Sequence, residues 1–178
     1  MPRPRRFAPS GSTFHVINRG NDKQRLFFED SDYQGFVELL SLGKRRHSVK
    51  LFGVCVMPNH FHALVRPEEE GALSAYFQSV QCCYACYFRS RTQTVGNGHV
   101  FQRRFWSAQI QDDYHFLNVL RYIEANPIAG DLVVRAEEWP WSSATLRPRA
   151  AVVLDTLPLR LPLEWSEMVH NDAHELPL

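Results

Sequence analysis

The run VKLFGVCVMPNHFHALV, residues 49–65, narrows the fold more than any other segment. Two β-rich stretches flank Met57, Pro58 and Asn59, which read as a turn, so an antiparallel hairpin is predicted. Upstream, STFHVIN alternates apolar and polar residues like a strand entering a sheet, and NRGNDKQ reads as a turn. Residues 30–46 open on acidic residues, carry Phe36, Leu39 and Leu40 as a stripe and close on Lys44, Arg45 and Arg46, a charge order that complements a helix dipole. Residues 73–91 predict a second helix with Tyr76, Val80, Cys83 and Tyr87 along one side. HVFQRRFWSAQI is extended, and residues 112–126 predict a third helix, capped by Asp112 or Asp113 and stopped before Pro127. Helices separated by a hairpin suit a ferredoxin-like α+β sandwich, an antiparallel sheet with helices packed on one face. From Pro127 onward the chain holds six prolines and reads as mostly irregular. The expected division is a domain over residues 1–145, including a basic arm, and a C-terminal extension over 146–178.

A chain of 178 residues with 44% hydrophobic side chains can bury a core without disulfides or a structural metal, so a metal in it would serve function. Three of its four cysteines, Cys82, Cys83 and Cys86, fall within five residues. With Cys55 they make a poor disulfide framework, consistent with a reducing compartment, and they read as buried free thiols rather than a zinc site. No run reaches the roughly 20 apolar residues that span a bilayer, and the basic N-terminus has no apolar segment behind it. The expectation is a cytoplasmic, nucleoid-associated protein with no membrane partner. Net charge is +1, but residues 1–122 hold 16 Lys/Arg and 10 Asp/Glu while residues 123–178 hold 4 and 9. A basic body suits a polyanionic partner, since phosphate contacts release counterions; solvated surface charge is the alternative. Glu68, Glu69 and Glu70 read as a solvated loop.

His60 and His62 are two apart in a predicted strand, so both side chains share one face, with Phe61 and Ala63 on the other. Two such imidazoles can hold one divalent cation with room for a third ligand, and they are equally compatible with ordinary hydrogen-bonded histidines. In the third helix, about 100° per residue puts Phe116, Val119, Leu120 and Ile123 on one buried stripe. Tyr122 and Asn126 share its margin, and Tyr114 points to solvent. A phenol beside an amide at the edge of a buried face can sit over the sheet, near a metal, or can simply pack with its hydroxyl wet.

MPNHFHALV, with its His, apolar, His core, resembles the motif of the HUH single-strand endonucleases and transposases. GHVFQRRFWS, RYIEANP and WPWSS resemble the REP-associated tyrosine transposases, relatives of the single-tyrosine insertion-sequence transposases. FHVINRGNDKQRLFFEDSDYQGFVELL is similar to that family's N-terminal region, so the resemblance covers residues 1 to about 145, and LPLEWSEMV resembles its C-terminal end. The resemblance implies the HUH endonuclease fold, with His60, His62 and Asn126 as metal ligands and Tyr122 as nucleophile. It also implies Mg2+ or Mn2+, where imidazole ligands alone would favour zinc or other transition metals. Two departures stand out. NPIAGDLV lacks the basic residue that relatives carry after the proline in NPVRAGLV, and FQRRF places Arg103 where glycine is customary.

The reaction implied is single-stranded DNA cleavage and strand transfer through a 5′-phosphotyrosine, on a hairpin from repetitive extragenic palindromes, by a monomer or homodimer. Arg3, Arg5, Arg6, Arg19, Lys44, Arg45, Arg46, Arg103, Arg104 and Arg121 are candidate DNA contacts, and Phe101, Phe105 and Trp106 interleave with arginines as a stacking surface would. Core packing explains those aromatics equally well. Two other readings stand beside the enzyme: a catalytically inactive nucleic-acid-binding regulator on the same fold, and a metal-dependent hydrolase in which water attacks.

Overall fold

In the computed structural model, which describes residues 7–94, 98–147 and 153–171, the predicted hairpin is β2 (Val49–Met57) and β3 (His60–Pro67). The two run antiparallel, from Val49 opposite Pro67 to Met57 opposite His60. β1 (Phe14–Arg19) pairs antiparallel with the other side of β3, and β4 (Trp106–Gln109) pairs with β1, giving the order β2-β3-β1-β4. α1 (Asp30–Arg46) has the predicted bounds, and with α2 (Ala72–Thr92) it covers one face of the sheet. Val16, Val54, Val56, Phe61 and Ala63 meet Phe36, Leu40, Phe77 and Tyr84 there. The α+β class and the antiparallel sheet are those the sequence predicts.

The helices do not all lie on one face. α3 (Asp113–Ala129) takes the opposite side, where Phe116, Leu120 and Ile123 pack with Phe52, Cys55, Met57 and Leu64. Phe52, Cys55, Met57 and Leu64 make this second face apolar over much of its area, so it too needs cover. Gly53, at the register shift in β2, lets α3 come close: a Cβ there would stand 2.5 Å from Leu120 Cδ1. α3 starts on Asp112, whose carboxylate accepts from the His115 N–H at 2.7 Å. It runs on through Pro127 instead of stopping before it. Pro127 and Ile128 are buried on the sheet side, and that packing offsets the hydrogen bond a proline cannot donate.

α2 also differs from expectation in rotation. Leu73, Tyr76, Phe77, Val80, Tyr84 and Phe88 form its buried side, which turns Tyr87 and the cysteines outward. Cys82, Cys83 and Cys86 are therefore exposed free thiols, and Cys55 alone is buried. Among the described residues no helix is long and apolar enough to cross a membrane.

The outer edge of β2 is covered by the segment that follows α3. Val56 N–H donates to Trp141 O (3.0 Å), Trp139 Nε1 donates to Val56 O (2.9 Å), and Cys55 bridges to Ser142. Further along, Leu51 and Asp155 exchange two bonds of 2.8 Å. An edge paired this way is closed to other chains.

Two short helices, α4 (Ser143–Leu146) and α5 (Trp165–Asn171), then converge on Glu124 of α3. Its Oε1 accepts from Ser143 Oγ (2.7 Å) and Arg147 Nη2 (3.1 Å), and its Oε2 from Trp165 Nε1 (2.8 Å). A buried carboxylate is tolerated when its lone pairs are filled in this way. Glu124→Ala should lower the free energy of unfolding by about 3–5 kcal/mol, because it removes the carboxylate partner of Arg147 and strands the indole N–H. Urea denaturation measures it, and a loss under about 1 kcal/mol, the range of an exposed pair, would show that this network does not anchor α3.

Candidate nucleophile and metal centre

Strand alternation sends His60 and His62 to the α3 side of β3, and the pairing with β1 sets Ile17 opposite His62 and Arg19 opposite His60. His60 is partly exposed and His62 is buried. The imidazoles lie 5.0 Å apart between ring centroids, nearly perpendicular. His60 Nδ1–H donates to Asn59 Oδ1 at 2.7 Å, and Asn59 Nδ2 donates to Lys23 O at 3.3 Å, which fixes the amide's direction. That leaves Nε2 as the ring nitrogen on the side of Asn126. His62 Nδ1 is likewise engaged, 3.1 Å from Nε2 of His15 on β1.

α3 lays Tyr122 and Asn126, one turn apart, over these rings. The Tyr122 ring stands edge-on to His62 at 5.3 Å and to His15 at 5.8 Å. Asn126 is buried, hydrogen-bonds His60 through its side chain, and donates from Nδ2 to Tyr122 O at 2.7 Å. The four residues singled out in the sequence, His60, His62, Tyr122 and Asn126, thus come together within one chain.

Covering this face with α3 has an electrostatic consequence. Burial, then the charge of Arg19, pushes His60 down to about 4, against a smaller opposing effect of the Asn126 hydrogen bond. His62 is driven well below the ordinary histidine range by burial, followed by His60, His15 and Arg19. His15 falls to about 4, again through burial first and then the charge of His115. At neutral pH all three rings are neutral, the form that ligates a metal. Among the described residues no group of three or more His, Cys, Asp or Glu could hold a metal. The donor set is instead two neutral imidazoles plus an amide oxygen, of which His60 alone is partly exposed. That set fits a hard or borderline divalent cation completed by substrate, such as Mn2+ or Mg2+.

The candidate DNA contacts divide by location. Arg19, Arg103 and Arg104 are exposed and line a groove of ≈ 1300 Å³ between α2 and residues 99–106, bordered by Trp106. Arg121 is on α3 and donates to Asn118 Oδ1 at 3.3 Å. Lys44 is engaged within the fold: its ammonium pairs with Asp155 and donates to Val153 O (3.0 Å), with 15% of the side chain exposed. Arg45 and Arg46 are exposed but close α1 near Val49, the end of the sheet away from His60. Arg3, Arg5 and Arg6 lie outside the described residues. Of the aromatics, Phe101 and Phe105 are core residues, whereas Trp106 is 56% exposed and meets His15 edge-on at 5.9 Å.

Sequence reasoning passed over His15. The only signal for it was its place in FHVIN, alternating with Val16 so as to share a face with Ile17; the register of β1 on β3 is what brings it to His62.

Comparison with known proteins gives a family and a fold. A family model described as "Transposase IS200 like" matches residues 9–126, a span that includes His15, His60, His62, Tyr122 and Asn126. A curated protein of Haemophilus influenzae, named as a REP-associated tyrosine transposase, is 33% identical over 98 residues, covering 51% of this chain and 56% of that protein. The match thus spans little more than half the length of that relative. A solved structure of a REP-associated tyrosine transposase bound to a REP hairpin superposes with a TM-score of 0.65 at 21% identity, covering 90% of this chain and 95% of that one. At that identity the likeness is one of fold.

The buried histidines make the stability of the metal-free protein depend on pH. Between pH 6.5 and about 4 the unfolded chain takes up protons at His15 and His60 that the folded state refuses, so protonation favours unfolding. Stability should be complete above pH 6.5 and fall through that window, with Asp32, whose carboxyl sits below its ordinary value, adding its loss only at lower pH. Melting temperatures across this range should fall more steeply for the native protein than for His62→Gln; equal slopes would contradict the assignment.

Proposed function

The chain belongs to the IS200-like transposase family, and from that premise we propose that it cleaves and rejoins single-stranded DNA beside a REP-type hairpin, through a covalent 5′-phosphotyrosine on Tyr122. The catalytic unit is residues 1–145, and the 146–178 extension contributes α5 as a buttress for α3. The observation that carries the reading is the Tyr122 ring edge-on to His62, with Asn126 on His60 one turn further along the same helix.

His60, His62 and Asn126 would hold Mg2+ or Mn2+. Bound there, the cation supplies a Lewis acid for a non-bridging phosphate oxygen and neutralises charge that develops on it. The protein's own residues do the rest. Tyr122 Oη attacks phosphorus, the bond to the 3′-oxygen breaks, and its electron pair leaves with that oxygen. The phenol gives up one proton and the 3′-oxygen takes up one, so the step is neutral overall. The new phosphotyrosine keeps the energy of the phosphodiester, which lets a 3′-hydroxyl reverse the step without another energy source. α3 orients the phenol, and the packed rings of His15 and His62 keep its approach edge dry.

DNA would enter along the β4 side. Arg19, Arg103 and Arg104 there supply phosphate contacts, and Trp106 offers a face for an unpaired base. Hairpin DNA as substrate is supported by the family and by the relative solved with a REP hairpin.

Incubating the protein with labelled hairpin DNA and Mn2+ should give a covalent protein–DNA band, and Tyr122→Phe should abolish it. Cleavage without an adduct would favour water as nucleophile, and binding without cleavage a regulator. His60→Ala and His62→Ala should each lower adduct formation about 10²–10³-fold. Trp106→Ala should weaken single-strand binding by about 1–3 kcal/mol, read by fluorescence anisotropy, with adduct formation restored at saturating DNA.

A further inference from the structure

We infer that His15 is a positioning residue that selects the metal-binding tautomer of His62. The inference rests on the metal reading above and adds to it a residue that is not itself a ligand. His15 is buried on β1, and its ring is nearly parallel to that of His62, at 21° and 5.3 Å between centroids. The geometry sets Nε2 of one against Nδ1 of the other, 3.1 Å apart.

A hydrogen bond between two neutral imidazole nitrogens needs one proton on one side. If His15 Nε2 carried it, His62 Nδ1 would accept, and His62 Nε2 would hold the remaining N–H and have no lone pair for a cation. If His62 Nδ1 carries it, His15 Nε2 accepts, and His62 Nε2 is free to ligate. Only the second arrangement is compatible with a cation at His62, so His15 must serve as the acceptor. An acceptor behind a ligating imidazole fixes the ring and raises its basicity. His60 has the same arrangement through Asn59 Oδ1. Both candidate ligands therefore have Nδ1 committed to a partner, His15 from β1 and Asn59 from the β2–β3 turn, and Nε2 is the nitrogen that would ligate.

The His15 ring is itself held. Trp106 meets it edge-on at 5.9 Å and 89°, and Tyr122 at 5.8 Å and 74°. The same ring thus touches the proposed nucleophile, a proposed ligand and the exposed indole at the groove.

Two substitutions separate a hydrogen-bonding role from a packing role. His15→Phe keeps a ring and removes the acceptor, whereas His15→Gln places an amide oxygen near the position of Nε2. Titration of the metal-free protein with Mn2+, followed by the loss of the free-ion electron spin resonance signal, should show affinity about 10–100-fold weaker in His15→Phe and within a few-fold of native in His15→Gln. Nitrogen-detected NMR of the Mg2+-loaded native protein should find the His62 proton on Nδ1. Native affinity in His15→Phe, equal losses in both variants, or a proton on Nε2 of His62 with metal bound would each overturn the inference. If native protein binds no Mn2+, or binds it equally well after His60→Ala, the metal reading itself fails and takes this inference with it. Native binding that survives His15→Phe sinks the His15 role alone.

Discussion

Glu124 stands between Ile123 and Ala125 on α3, both fully buried, and is itself 1% exposed. Three donors from Ser143, Arg147 and Trp165 fill its oxygens. An unpaired charge in that position would be expelled toward water and would take the helix with it. The pairing holds α3 flat on the sheet, and the rest of the site follows from that contact. Tyr122 lies two residues before Glu124 and Asn126 two after, so the residues over the histidines flank the one that fixes the helix. Segments after residue 142, remote from the histidines in sequence, therefore bear on the geometry over His60 and His62 through one carboxylate.

Once α3 is seated, the histidines beneath it lose water. Burial is the largest cause of the downward shift in all three rings. The same desolvation that denies them protons leaves their nitrogens as neutral donors. The proposed third donor is an amide oxygen, which would add no charge of its own beside the two neutral rings. A bound cation would then meet a phosphate without carboxylates competing for it.

The sheet's two edges have opposite fates. β2 is closed by Trp139, Trp141 and Asp155, and Lys44 is drawn into that closure by Asp155. β4 is short and bears the exposed Trp106, with Arg19, Arg103 and Arg104 lining the groove beside it. A basic body thus splits into cations that hold the fold or end α1 at the far end of the sheet and cations that border the site. Chain composition cannot make that distinction, because a lysine paired internally and a lysine facing solvent count the same.

Much of this was legible along the chain. The hairpin, the bounds of α1, the shared face of His60 and His62, and the pairing of Tyr122 with Asn126 all follow from local periodicity, which depends only on neighbours in sequence. What local pattern could not carry was decided by long-range contact. The second face needed cover, which set α3 opposite α1 and α2 and carried its helix through Pro127. The aromatic residues of α2 outcompeted its cysteines for the core and left those thiols outside. His15 joined the site only through the register of β1 on β3, and Lys44 has an internal partner only because Asp155, more than a hundred residues away, folds back to it. Sequence alone therefore determined which side chains share a strand or helix face, while the tertiary structure decided which faces meet, because burial and ion pairing act on groups close in space whatever their separation along the chain.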